Sequence, residues 1–179
     1  MTPDLEHAFG LAQAPEGALA VFAYCREGIN QAAPSLLTTA SVYDLANMRS
    51  RRVWTDDPAA YPAGNFKRLD RNRFFELVIE GRRPFHSTSI EEIAGVFFDW
   101  EKIQALGFES NLNLPAVANG RVIGTINLLN RKGFYTPERV AAAMRWQPVA
   151  MLAFLLLQQD PGIANFHGDA VDGTGLTEG

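Results

Sequence analysis

The sequence predicts an α+β domain built on a mainly antiparallel sheet. Helix-like spacings lie near both ends of the chain, strand-like runs come in neighbouring pairs, and Asn119-Gly120 joins the last pair through a dipeptide that favours a tight hairpin. Helices and strands are thus segregated rather than strictly alternating.

Taken in order, Pro3 to Ala14 gives a short lead-in helix. Glu16 to Asn30 sets Leu19, Phe22, Ala23 and Ile29 at helical spacing, and Pro34 ends that segment. Leu36 to Asp44 is enriched in Thr, Ser, Val and Tyr and reads as a strand; Asn47 turns the chain, and Met48 to Thr55 returns as a second strand. Asp56 to Asn65 holds too much Pro and Gly for an element interior. Asp70 can cap a helix bearing Phe74, Phe75, Leu77, Val78 and Ile79, which Gly81 stops. Pro84 to Ser87 is a short strand, Ser89 with Glu92 forms a capping-box pattern, and Asp99 can cap a helix through Leu106, ended by Gly107. Phe108 to Val117 and Arg121 to Asn130 are the hairpin strands. Thr136-Pro137-Glu138 places an N-cap before a proline at the first helical position, opening a helix to about Gln159 that bends near Pro148. From Asp160 the chain carries five glycines and little to bury. The expected organisation is a lead-in over 1–15, one domain over 16–159 and a loosely held tail over 160–179.

Composition narrows the function. A chain of 179 residues, 47% hydrophobic and 20% charged, can bury a core without covalent staples. Sixteen Lys and Arg against twenty Asp and Glu leave a charge of −4, so no nucleic-acid partner is expected. The single cysteine, Cys25, excludes an internal disulfide, a cysteine-rich zinc site and a two-cysteine redox cycle. His7, His86 and His167 show no metal-ligand spacing, and no metal or cofactor is expected. Met1 to Gly10 lacks a basic start followed by an apolar run, and the longest apolar run, Val149 to Leu157, falls far short of the ~20 residues that cross a bilayer. No membrane partner and a cytoplasmic location are the expectation.

The last hairpin has two possible registers. A two-residue turn pairing Leu112 with Asn127 mixes polar and apolar side chains on each face. A three-residue loop with Gly120 in the left-handed conformation pairs Asn111 with Asn127 and Asn113 with Thr125. Ser110, Leu112, Leu114, Val122, Ile126 and Leu128 then share one face, and Asn111, Asn113, Thr125 and Asn127 the other. A one-residue slip exchanges faces, so the cleaner segregation and the bulged loop are preferred. The polar face is either solvated or, if covered, in need of partners that a polar small molecule could supply.

Ser110-Asn111-Leu112-Asn113-Leu114-Pro115, then Gly120-Arg121-Val122-Ile123-Gly124-Thr125-Ile126, then Phe134, Thr136 and Glu138 resemble the motifs of the GAF domain. The match covers roughly Phe108 to Leu157. The resemblance implies about six antiparallel strands, with the terminal helices on one face, where such domains often dimerise. It implies a small-ligand pocket on the other face, roofed by loops and short helices. Bilin-binding members attach their chromophore through a cysteine, and free methionine-(R)-sulfoxide reductases of this family use several. Cys25 lies on the first helix, and Asn111 and Asn127 stand where those reductases carry carboxylates. The resemblance therefore argues against covalent bilin and against sulfoxide reduction.

Further candidates surround this face. Phe97, Phe98, Asp99 and Trp100 fall where the pocket roof is expected, and Phe98 and Trp100 could stack on a planar ligand or belong to core. Tyr61 and Lys67, with Arg68, sit in or beside the Pro- and Gly-rich loop, where binding residues gather. His86 could contact a ligand from the short third strand. The apolar last helix, Met151 to Leu157, asks for burial on more than one side. The expected function is that of a stand-alone GAF domain. It binds a small polar or aromatic metabolite non-covalently through Asn111, Asn113, Thr125, Asn127, His86, Phe98, Trp100, Tyr61 and Lys67. It acts as a sensor through homodimerisation by the terminal helices or through a partner protein. A small enzyme on the same ligand and a degenerate dimerisation module remain alternatives.

Overall fold

The computed structural model describes residues 2–64, 66–163 and 166. His167 and most of the Gly-rich tail therefore lie outside the described residues. Two helices open the chain, α1 (Leu5–Ala12) and α2 (Gly17–Ala32), and the hairpin β1 (Leu37–Asp44) and β2 (Arg49–Thr55) follows. A short β3 (Phe66–Arg68), a π-helical segment (Phe75–Glu80) and a short β4 (Phe85–Ser87) lead to α3 (Ile90–Ala94) and α4 (Trp100–Ala105). The chain closes with β5 (Ser110–Ala118), β6 (Arg121–Asn130), α5 (Pro137–Met144) and α6 (Gln147–Gln159). Among the described residues the strands form one antiparallel sheet of six in the order β3-β2-β1-β6-β5-β4.

The helix side of the sheet is apolar. Ala40, Val42, Leu112, Leu114, Ile126 and Leu128 meet Phe22, Cys25 and Ile29 of α2 and Ala153, Phe154 and Leu157 of α6, all buried. Two glycines permit close approaches, one between sheet and helix and one between helices. A Cβ on Gly124 would lie 2.2 Å from the Phe154 ring, and one on Gly28 would lie 2.0 Å from Trp146. Thr136 caps α5, its hydroxyl accepting from the Arg139 N–H at 3.5 Å, with Pro137 behind it as expected. The closing helix is bent by 49° between α5 and α6, and the break drops Trp146 into the core. No single helix among the described residues is long and apolar enough to cross a membrane.

The hairpin register corrects the expectation. Asn119 (φ 48°) and Gly120 (φ 68°) form a two-residue turn, and Ala118 pairs with Arg121. The irregularity lies further in, where Ala116 pairs with Gly124 but Val117 with Val122, leaving Ile123 as the extra residue. Asn113 therefore opposes Asn127, Leu112 opposes Leu128 and Pro115 opposes Thr125. The pairing differs by two residues from the expected one. A shift of two conserves faces, so the three asparagines and Thr125 still share a side. Val122, beyond the bulge, moves to that side too and packs with Phe74, Phe75 and Val78.

Two expected caps are also corrected. The Asp70 carboxylate pairs with Arg68 at 2.8 Å, and Asn72 Oδ1 instead accepts from the Phe75 N–H at 3.2 Å. Asp99 precedes α4 but makes no side-chain cap, because its carboxylate holds Lys67. Ser89 does cap α3, and Glu92 accepts from the Thr88 N–H at 2.8 Å. The sequence alone assigns no element to Phe66–Arg68, since the three residues of β3 are too few to show a period.

Candidate functional site

The face of the sheet opposite α2 and α6 carries a polar floor. Residues 37, 39, 41 and 43 alternate onto it from β1, as Asn111 and Asn113 do from β5 and Asn127 from β6. The three side-chain amides form a directed chain. Asn111 Nδ2 donates to Asn113 Oδ1 at 2.7 Å, and Asn113 Nδ2 donates to Asn127 Oδ1 at 2.8 Å. Asn127 Nδ2 then donates to Thr39 Oγ1 at 3.3 Å and Ser41 Oγ at 3.2 Å. The chain crosses three strands and ends, on the Asn111 side, at a buried Oδ1 with no hydrogen-bond partner.

A cavity of about 140 Å³ lies over this floor. Its apolar walls include Leu37, Leu69, Phe74, Val96, Phe97 and Ile103. Phe97 leans on Phe74 (5.5 Å between centroids) and Phe85 (5.8 Å), and Asn72 Nδ2 donates to the Val96 carbonyl at 2.8 Å, fixing the roof to the segment before the π-helix. A second tie is the ion pair between Lys67 of β3 and Asp99 at the head of α4, with the Asp99 carboxylate almost wholly buried. Burial pulls the Lys67 ammonium below its ordinary value, and Asp99 opposes that pull.

Tyr61 closes the third wall. Its ring lies between Arg52, whose guanidinium is 4.6 Å from the ring centroid, and Lys102, whose ammonium is 4.8 Å away. Arg52 also donates from Nη1 to the Pro62 carbonyl at 3.0 Å. Burial pushes the Tyr61 hydroxyl up and the Arg52 guanidinium down. Tyr61 Oη and Asp99 Oδ1, like Asn111 Oδ1, are buried without a hydrogen-bond partner.

Of the residues singled out in the sequence, Asn111, Asn113, Asn127, Tyr61, Lys67 and Phe98 line the cavity together. Phe98 is 45% exposed at its rim, with the Lys67 ammonium 5.3 Å from its ring centroid. Thr125, His86 and Trp100 do not line it. Thr125 is displaced by the hairpin register and bonds Tyr43 Oη at 2.8 Å. His86 pairs with Leu112 and so shares the helix-side face, where it is exposed. Trp100 packs behind the roof with Tyr61, Ile90, Ile93 and Ile103. Thr39, Ser41, Tyr43 and Arg52 are cavity residues that the sequence reading missed, and Asp99, expected in the roof as a helix cap, lines the cavity paired with Lys67 instead. The alternation Leu37, Thr39, Ser41, Tyr43 was a usable signal for the first three. Cys25 is fully buried among the helices across the sheet, where desolvation raises its thiol. Among the described residues no group of three or more His, Cys, Asp and Glu is placed to hold a metal ion.

This architecture superposes on known structures. The GAF domain/HD domain protein from Geobacter sulfurreducens superposes with a TM-score of 0.62, at 11% identity over 82% of this chain and 94% of that one. This is a GAF-like fold. The GAF domain of a two-component sensor histidine kinase from Bacillus halodurans matches with a TM-score of 0.60, at 8% identity over 75% of this chain and 90% of that one. A free methionine-R-sulfoxide reductase from Neisseria meningitidis, solved with its substrate, also has a TM-score of 0.60, at 9% identity over 85% and 86%. No protein-family model matches the sequence, and no curated protein matches it. The GAF likeness therefore rests on three-dimensional architecture and the short motifs of the last hairpin.

Proposed function

We propose that this GAF-like domain is a sensor or regulatory module that holds a small metabolite non-covalently in the cavity above the asparagine chain. The observation that carries this reading is the floor itself. Three side-chain amides, those of Asn111 and Asn113 buried and that of Asn127 half-buried, are bonded into one chain on the cavity floor, and the chain ends on an unpartnered acceptor of a kind that native interiors rarely leave unpaired. A dimerisation module with no ligand would fill the space with its own side chains. Here Phe98 stands at the rim and Trp100 behind the roof. Sensor histidine kinases are among the structures that share the fold, which supports a signalling context.

Output would pass through a homodimer formed by the helix layer, or through a partner protein. Leu5 and Phe9 of α1 and Leu19 of α2 are 44%, 54% and 48% exposed, a group of apolar side chains on that layer. Native mass spectrometry of freshly purified protein, followed by the same sample denatured, tests both parts. The expected result is a dimer carrying an adduct that is lost on denaturation and absent from Asn127→Phe, which blocks the cavity. An adduct retained by a folded Asn127→Phe variant would place the ligand elsewhere. A monomer whose state is unchanged by Phe9→Lys would remove the helix-layer dimer.

A further inference from the structure

Three residues that line the cavity carry buried polar atoms without partners, and these specify more than its existence. Asn111, Asp99 and Tyr61 are 3%, 8% and 3% exposed, and Oδ1, Oδ1 and Oη respectively have no hydrogen-bond partner. All three residues line the same space. Two of these atoms are pure acceptors: the amide oxygen, whose nitrogen is already committed to Asn113, and the carboxylate oxygen that Lys67 leaves open. The third is a hydroxyl able to donate. The set calls for a guest with two N–H donors and one acceptor, the complement of a primary carboxamide or of an amino-substituted lactam edge.

Charge narrows the guest further. An anionic oxygen set against Asn111 Oδ1 and Asp99 Oδ1 meets acceptor against acceptor and is repelled. A cation meets two carboxylates already paired, Asp99 with Lys67 and Asp70 with Arg68, and the Arg52 guanidinium besides. The fitting guest is uncharged. Its size follows from the volume: a cavity of about 140 Å³ is close to the ~150 Å³ that admits a benzene ring. Phe74 and Phe97 give that ring an aromatic wall.

We propose that the cavity is selective for an uncharged planar molecule bearing a carboxamide-like edge, its N–H groups on Asn111 Oδ1 and Asp99 Oδ1 and its acceptor on the Tyr61 hydroxyl. This rests on the reading of the cavity as a ligand site and adds the ligand's class.

Four probes with one ring separate the possibilities: benzamide, benzoate, benzamidine and toluene, titrated by calorimetry and by ligand-observed NMR against the full chain. Benzamide is expected to bind saturably and at least about tenfold tighter than the other three, as the gain of two or more hydrogen bonds requires. Tyr61→Phe removes an atom that has no partner in the protein. It should leave the melting temperature unchanged and weaken benzamide by roughly three- to tenfold, the worth of one hydrogen bond. Asn111→Leu should weaken it further, circular dichroism verifying the fold. Tighter binding of benzoate or benzamidine would overturn the claim of an uncharged ligand. Toluene equal to benzamide would overturn polar selection. If no probe binds while the purified protein carries an adduct that Asn127→Phe abolishes, the carboxamide class falls and the ligand site stands. If that adduct survives in a folded Asn127→Phe variant, the site itself falls.

Discussion

At the scale of single residues, space and hydrogen bonding decide the outcomes. Gly28 lies within a helix, where alanine is intrinsically favoured by about 1 kcal/mol. The clash with the Trp146 ring at 2.0 Å outweighs that gain. Gly28→Ala should destabilise the protein despite its helix propensity. Gly124→Ala should cost about 1–3 kcal/mol, the usual toll of overpacking; urea denaturation of the two variants checks both signs. The Tyr43–Thr125 pair makes a second case. Tyr43→Phe leaves the Thr125 hydroxyl, on a residue with no exposure, without its partner. It should cost about 1–3 kcal/mol. Adding Thr125→Val should recover part of the loss, and a double-mutant cycle in urea reads the coupling. If the two costs simply add, the hydroxyls do not act as a pair.

At the scale of elements, the first hairpin is closed by charge. Asp44 accepts from the side chain of Asn47 at 2.8 Å, from its backbone N–H at 3.2 Å and from Arg49 Nε at 2.9 Å. These bonds, Asn47's side chain first, hold its carboxyl below the ordinary value. The folded value is depressed, so the stabilisation is present above the unfolded value of ~3.9 and is lost as pH falls through the folded one. Asp44→Asn should therefore lower stability by less than about 1 kcal/mol at neutral pH, as befits a turn near the surface. The difference should vanish in strong acid; thermal melts across pH check it. The closing helix shows what sequence could and could not say about elements. Pro148 correctly marked a bend, and Trp146, at the break, is wedged against Gly28 and 5.0 Å from the Tyr24 ring. That contact joins residues far apart in sequence, and no periodicity reveals it. Likewise Asn119-Gly120 announced the hairpin, but not the bulge at Ile123, which lies beside Gly124 where β6 meets Phe154 of α6.

For the whole molecule, the α+β class, the order of elements and the polar floor were legible because each depends on local alternation and turn chemistry. The asparagine face survived a wrong register because the error was an even number of residues. The pairing of Asp99 was not legible. As a cap it needs only a following helix, whereas its role here depends on Lys67, 32 positions away. Arg52 and Tyr61 meet for a similar reason, a loop folding back on its strand. Breaking that long-range tie should loosen the roof while sparing the helix side. Lys67→Ala is expected to speed amide hydrogen exchange in α4 and leave α2 and α6 unchanged; uniform acceleration would mean the two sides of the sheet are one cooperative unit. The strand order has a further consequence. Both outermost strands, β3 and β4, are only three residues long, while the strands inside them run to seven or more. A foreign strand pairing with either edge strand finds only three residues of ladder to zip onto. Growth of the sheet by strand addition is thereby disfavoured, which leaves the helix layer as the surface we propose for self-assembly.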